Sequence, residues 1–144
     1  MVIHMSNSSA GLETSVWGPG VWFSLHCISF GFPVQPTSQQ KRDYAFLLKS
    51  LALTLPCPAC SAHFQQLLDQ TMYLKHFSNR ATFTRYVYDL HRAVNDRLGK
   101  SSPSFEDVCK KYERIRVDSG DVEGHAVVAL KTGKARGDTI VFRK

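Results

Sequence analysis

Leu47-Leu48-Lys49-Ser50-Leu51-Ala52-Leu53-Thr54-Leu55-Pro56-Cys57-Pro58-Ala59-Cys60-Ser61-Ala62-His63-Phe64 is the stretch on which the reading of the chain turns. Its first half keeps a helical period: Tyr44, Leu47, Leu48, Leu51 and Leu55 recur at i, i+3, i+4, i+7 and i+11 along one face. Pro58 suits the first turn of a new helix, where its missing N–H goes unused, and the apolar positions Phe64, Leu67 and Leu68 carry that helix on. Cys57 and Cys60 therefore stand at a helix N-terminus, with helices on both sides. Unpaired N–H groups and the positive end of the helix dipole favour thiolate there, so such a pair can open and close a disulfide. Pro58 limits the freedom of the reduced loop and so tunes its redox potential.

Competing readings of the motif differ in what they require around it. A thioredoxin-like site calls for a strand before the CxxC and βαβ surroundings, whereas Leu47 to Leu55 is helical by period. Zinc needs four ligands, and Cys57, Cys60, His63 and Cys109 supply them on paper, without the usual close spacing of a second pair. Covalent haem attachment is excluded, because Ser61 stands where CxxCH requires histidine.

Composition bounds the rest. The 144 residues suffice for one domain with a moderate core, and 43% hydrophobic with 11% aromatic residues mark a chain that folds. Four cysteines are too few for a disulfide scaffold at this size, so redox or metal chemistry is the better reading. A buried, inert thiol is the default for Cys27 and Cys109. The net charge of +6 is uneven: residues 1–74 carry three Lys/Arg and three Asp/Glu, residues 75–116 ten and five. So modest an excess fits solvated helix faces as well as an anion, whether nucleic acid, an anionic surface or a cofactor pyrophosphate; no interleaving of basic and aromatic residues singles out nucleic acid, and no nucleic-acid partner is expected. Met1 to Ser15 is polar and lacks the charged and apolar regions of a secretory signal or the arginines of a transit peptide. No membrane span is expected, since Lys49, Ser50 and Thr54 break the longest apolar runs.

Three further helices follow from period and caps. Trp17 to Gly31 places Trp22, His26 and Ser29 on one face and ends at Gly31 and Pro33. After the loop Val34-Gln35-Pro36-Thr37, Ser38 is the expected N-cap of the Tyr44–Leu55 helix. Phe83, Val87, Leu90, Val94 and Leu98 form the clearest stripe, stopped by Gly99, with Tyr88, His91 and Asn95 on the adjacent face. Ser104 opens a short fifth helix, Asp107 standing in the capping-box position and Phe105, Val108, Cys109 and Tyr112 facing inward. Beyond Arg116 four glycines punctuate two β-prone runs, His125 to Leu130 and Thr139 to Phe142, read as an appended hairpin or a mobile tail. Arg136-Gly137-Asp138 within it is read as an ordinary turn.

Taken in order, Trp17-Gly18-Pro19, Trp22-Phe23-Ser24-Leu25-His26, Cys57-Pro58-Ala59-Cys60 with His63-Phe64, His91-Arg92-Ala93-Val94-Asn95 and Leu98-Gly99-Lys100 resemble the pattern of the Erv/ALR FAD-linked sulfhydryl oxidases, over about Trp17 to Arg116. The resemblance implies an all-α fold, a four-helix bundle plus a short fifth helix, that binds FAD noncovalently and dimerises through its first two helices. It divides the chain into a polar tail (1–15), a helical oxidase domain (16–116) and a C-terminal extension (117–144). By the same analogy Cys57 exchanges with a protein dithiol substrate, for which a thioredoxin-like protein is one candidate, while Cys60 lies against the flavin. Electrons then pass to FAD and to O2, releasing H2O2. Gly18, Trp22, His26, Tyr88, His91, Asn95, Leu98 and Lys100 are the implied flavin and adenosine contacts, and no metal is expected. The i to i+4 pairs Trp22 with His26 and His91 with Asn95 agree with a planar cofactor between helices.

Three departures from the family pattern stand out. His91-Arg92 replaces a common His-Asn, and Tyr88 occupies the position of a half-cystine that in relatives pairs with the position of Cys109. Nor is there a second CxxC or CxC to act as a shuttle. A small, shuttle-poor member resembles the oxidases of large DNA viruses, which implies the host cytoplasm or the virion; otherwise the mitochondrial intermembrane space is expected.

Overall fold

A computed structural model describes Met1, residues 3–117 and the backbone of two strands at 125–129 and 139–143. It divides into two units, Met1–Gly99 and Lys100–Lys144. The tripeptide Arg136-Gly137-Asp138 and the glycines of the extension lie outside the described residues.

Among its described residues the first unit holds four helices and one short 3-10 turn. Helix α1 (Thr14–Phe30) starts three residues before the predicted Trp17, capped by the Glu13 side chain, and includes Pro19. The Gly31 N–H closes the helix on Cys27 O, with φ at −83°, so this stop does not depend on glycine's left-handed freedom. Helix α2 (Ser38–Thr54) corrects the expected cap by one residue. Thr37, not Ser38, is the N-cap: its Oγ1 accepts the Gln40 N–H at 3.1 Å while Gln40 Oε1 accepts the Thr37 N–H at 2.9 Å. That reciprocal box satisfies two otherwise orphaned donors, and it selects Thr37 because glutamine stands three residues after it.

Helix α3 (Pro58–Thr71) begins at the predicted proline, with Cys57 itself as N-cap. A single 3-10 turn (Leu74–Phe77), not anticipated from the sequence, buries Phe77. Helix α4 (Arg80–Arg97) is capped by an Asn79–Thr82 box, and Gly99 beyond it has φ +66°, the left-handed stop that only glycine adopts freely. Of the predicted α4 stripe, Phe83, Val87 and Leu90 are buried and Val94 is partly so, whereas Leu98, at the C-cap, is 49% exposed.

Helix α1 packs on α4, and α2 on α3. Leu25, Phe32, Leu48, Ala52, Phe64, Leu68, Phe77, Phe83, Tyr86, Val87 and Leu90 form one continuous core. Each fully buried Leu or Phe side chain favours the fold by about 1.5–3 kcal/mol. Polar ties align α4 with the end of α1: Thr84 Oγ1 donates to Ser29 O at 3.0 Å, and Arg80 Nε donates to Phe32 O at 2.6 Å. No described helix is long and apolar enough to cross a membrane.

In the second unit, α5 (Phe105–Glu113) has the predicted cap Ser104, whose Oγ accepts the Asp107 N–H at 3.1 Å. The Asp107 carboxylate returns to the Ser104 hydroxyl at 2.6 Å, so the shorter acid bonds the cap's side chain. Val108 and Tyr112 are buried, while Phe105 and Cys109 are only partly so. Strand β1 (His125–Ala129) pairs antiparallel with β2 (Thr139–Arg143), His125 opposite Arg143.

Candidate active site

Cys57 and Cys60 are joined in a disulfide, Cα atoms 5.2 Å apart, across the first turn of α3. The Cys60 N–H donates to Cys57 Sγ at 3.2 Å, and the Ser61 N–H to Cys57 O at 2.9 Å. Ser61 also anchors the turn to the preceding helix, its Oγ donating to Ala52 O at 2.7 Å and accepting from Gln65 Nε2 at 2.9 Å. Cys57 and Cys60 are both partly buried.

The residues just before α1 cross this turn. The Leu12 N–H donates to Pro56 O at 2.6 Å, and Trp17 Nε1 donates back to Leu12 O at 3.1 Å. Gly11 adopts φ +86°, and a Cβ there would collide with the Pro56 carbonyl and lie 2.9 Å from Cys57 Cα. Thr14 Oγ1 is 3.5 Å from Cys60 Sγ. None of these contacts is legible in a segment that reads as a polar tail.

One turn along α3 from Cys60, Phe64 meets an aromatic cluster. Trp22 stands edge-on to Phe64, centroids 5.8 Å apart, and stacks flat on His91 at 4.2 Å with planes 6° apart. His26, 2% exposed, brings Nε2 to 3.0 Å from His91 Nδ1. With both rings neutral one nitrogen donates and the other accepts, which sets the orientation of the two imidazoles together. Phe64, expected as an apolar position of α3 and part of the CxxC motif but not as a cofactor contact, belongs to this cluster.

Of the other expected contacts, Gly18 is buried on α1 one turn before Trp22, and Tyr88 is 7% exposed on α4 with the Arg85 guanidinium 5.5 Å above its ring. Asn95 is partly buried one turn after His91. Leu98 is exposed at the end of α4, and Lys100 begins the second unit. Among the described residues no three His, Cys, Asp or Glu side chains are grouped as a metal site, and the two thiols of the CxxC are spent on each other.

Burial holds the His63 pKa below its ordinary 6.5, and the Arg97 charge lowers it further, so three residues after Cys60 the chain carries a neutral imidazole at neutral pH. Burial also raises the Tyr86 phenol above 10.0, against the opposing hydrogen bond with Thr71.

The profile of the Erv1 / Alr family matches residues 19–115. This chain belongs to the Erv1/Alr family. It is 31% identical over 99 residues to the FAD-linked sulfhydryl oxidase ERV1 of Oryza sativa subsp. japonica, covering 69% of this chain and 50% of the rice protein. It thus spans about half the length of that relative. It is also 28% identical to the FAD-linked sulfhydryl oxidase of African swine fever virus, covering 68% of this chain and 81% of the viral one. The crystal structure of the yeast Erv1 core has the same fold, with TM-score 0.66 and 23% identity over 77% of this chain and 97% of that one. Gly11, Leu12 and Thr14 precede the segment that the Erv1/Alr profile matches.

Proposed function

We propose that this chain is an FAD-dependent thiol oxidase that forms disulfides in protein dithiols. The observation that carries the reading is the Cys57–Cys60 disulfide at the α3 N-terminus, one helical turn from the cluster of Phe64, Trp22, His26 and His91. Membership of the Erv1/Alr family supports it, as do the relatives named FAD-linked sulfhydryl oxidases.

The side chains fit a flat cofactor. Trp22 and His91 are already at stacking distance, so a planar ring meets the outside of this partly buried pair rather than its middle. Gly18, Trp22, His26, Tyr88, His91, Asn95 and Leu98 are the residues we assign to holding FAD.

The chemistry starts at Cys57. A substrate thiolate attacks its sulfur, the Cys57–Cys60 bond opens, and the second substrate thiol resolves the mixed disulfide, leaving the substrate oxidised and the pair reduced. Helix dipole and N–H groups at the start of α3 stabilise the thiolate that results. The chemistry that FAD supplies when bound is acceptance of this electron pair and its delivery to O2, with release of H2O2. Cys60 faces the flavin in this assignment and Cys57 the substrate.

Exposed apolar residues on the first two helices, Val16 and Phe23 on α1 with Phe46 and Leu53 on α2, support a homodimer through these helices. The viral relative supports a host cytoplasmic or virion location.

Purified protein should be yellow, and its oxygen consumption with a dithiol should vanish in Cys57→Ser and Cys60→Ser variants. A colourless protein carrying stoichiometric zinc sinks the reading.

A further inference from the structure

We propose that the strap Gly11–Thr14 is a working part of the redox site and that the Thr14 hydroxyl stabilises Cys60 sulfur as the leaving group when a substrate thiolate opens the disulfide. The inference rests on the reading of Cys57–Cys60 as the redox-active pair.

In the disulfide neither sulfur carries a hydrogen, so across the 3.5 Å between Thr14 Oγ1 and Cys60 Sγ the hydroxyl is the donor. Its position is imposed by the chain on either side. Thr14 is the first residue of α1, behind the Glu13 cap. Ahead of it the Leu12 N–H is bonded to Pro56 O at 2.6 Å, and Trp17 Nε1 holds Leu12 O at 3.1 Å. Only glycine fits where the strap enters, since φ is +86° and a Cβ at residue 11 would run into Pro56. The strap thus grips the residue before Cys57 and delivers a hydroxyl to Cys60.

The chemistry asks for a donor at that atom. Attack of a substrate thiolate forms a bond to Cys57 Sγ, breaks the bond between Cys57 and Cys60, and leaves the bonding electron pair on Cys60 Sγ. Negative charge builds on this sulfur as the bond stretches. A hydroxyl already aimed at it strengthens its hydrogen bond as the acceptor becomes anionic, so the contact favours the transition state over the resting disulfide.

The test uses the full chain under anaerobic conditions. Dithiothreitol opens the disulfide, and alkylation followed by mass spectrometry counts the Cys57 and Cys60 thiols against time. Thr14→Val, which keeps the shape and loses the hydroxyl, should react about tenfold more slowly, and Thr14→Ser within about twofold of wild type. In a Cys57→Ser background, Thr14→Val should also shift the Cys60 thiolate titration to higher pH. Gly11→Ala, which dislodges the strap and keeps the hydroxyl, should be slowed as well.

A Thr14→Val protein with the wild-type rate and an unmoved titration overturns the proposal, as does equal slowing in the valine and serine variants. Neither readout needs flavin or oxygen. A colourless protein would therefore end the oxidase reading and leave this measurement intact.

Discussion

Trp22 of α1 and His91 of α4 lie parallel within 6°, ring centroids 4.2 Å apart, and His91 is in turn bonded to His26 on α1 at 3.0 Å. Two helices far apart in sequence are thereby locked by one flat pair whose outer face is the proposed flavin platform. Trp22→Ala removes one ring of the platform and the edge against Phe64. FAD affinity should fall at least about tenfold, with a smaller loss in Trp22→Phe, as read by fluorescence titration of the deflavinated protein.

The two cysteines should be separable by spectrum. On the proposed assignment Cys57→Ser leaves the Cys60 thiol beside the flavin and should add a long-wavelength absorption band from thiolate-to-flavin charge transfer. Cys60→Ser should lack the band at the same flavin content. Appearance of the band in the Cys60→Ser variant instead would reverse the assignment of the flavin-facing sulfur.

Two glycines near each other in sequence should respond oppositely to alanine. At Gly11 the left-handed φ and the clash with Pro56 make Gly11→Ala destabilising by roughly 1–3 kcal/mol. Gly20 lies inside α1, and a Cβ there would have nothing within 4 Å, so Gly20→Ala should stabilise by roughly 0.5–1 kcal/mol. Urea unfolding of the two variants beside wild type checks both signs.

Acid should weaken the fold through two histidines. His63 and His76 both have folded pKa values below 6.5, each chiefly from burial, with Arg97 lowering the first and Lys75 the second. Asp89 and a Thr71 backbone hydrogen bond pull His76 the other way. As pH drops below 6.5 the unfolded chain takes up protons that the folded one still refuses, so stability held above that pH declines through the window down to the folded values. Both rings are only partly buried, which keeps the decline shallow. Arg97→Gln removes the lesser cause, so the His63 midpoint followed by NMR should rise and still stay under 6.5. A midpoint that does not move would show that the Arg97 charge is not felt at His63.

The helices were legible wherever their signals are local. The Tyr44–Leu55 period, Pro58 after a cysteine cap, the Phe83–Leu90 stripe and the Gly99 stop all lie within a few residues of what they control. Where neighbours compete, local signals leave the choice open. Thr37 and Ser38 are both good caps, and the reciprocal bond with Gln40 decides between them. Leu98 extends the stripe on paper, yet the helix ends there, at the C-cap, and leaves it exposed. The turn at Leu74–Phe77 is too short for a periodic signal and is held by Phe77 packing against Phe83 and Tyr86.

By itself the sequence determined the helices and the placing of the cysteine pair at the head of α3, because propensity, capping and apolar period act between residues one or two turns apart. Only the tertiary structure decided that Trp22 stacks on His91, that Leu12 bonds to Pro56 O and that Thr14 Oγ1 stands 3.5 Å from Cys60 Sγ. Those contacts join residues distant along the chain. Ring stacking, a hydrogen bond to Pro56 O and a hydroxyl on Cys60 sulfur exist only after core packing has brought α1, α3 and α4 together, and no local pattern encodes them.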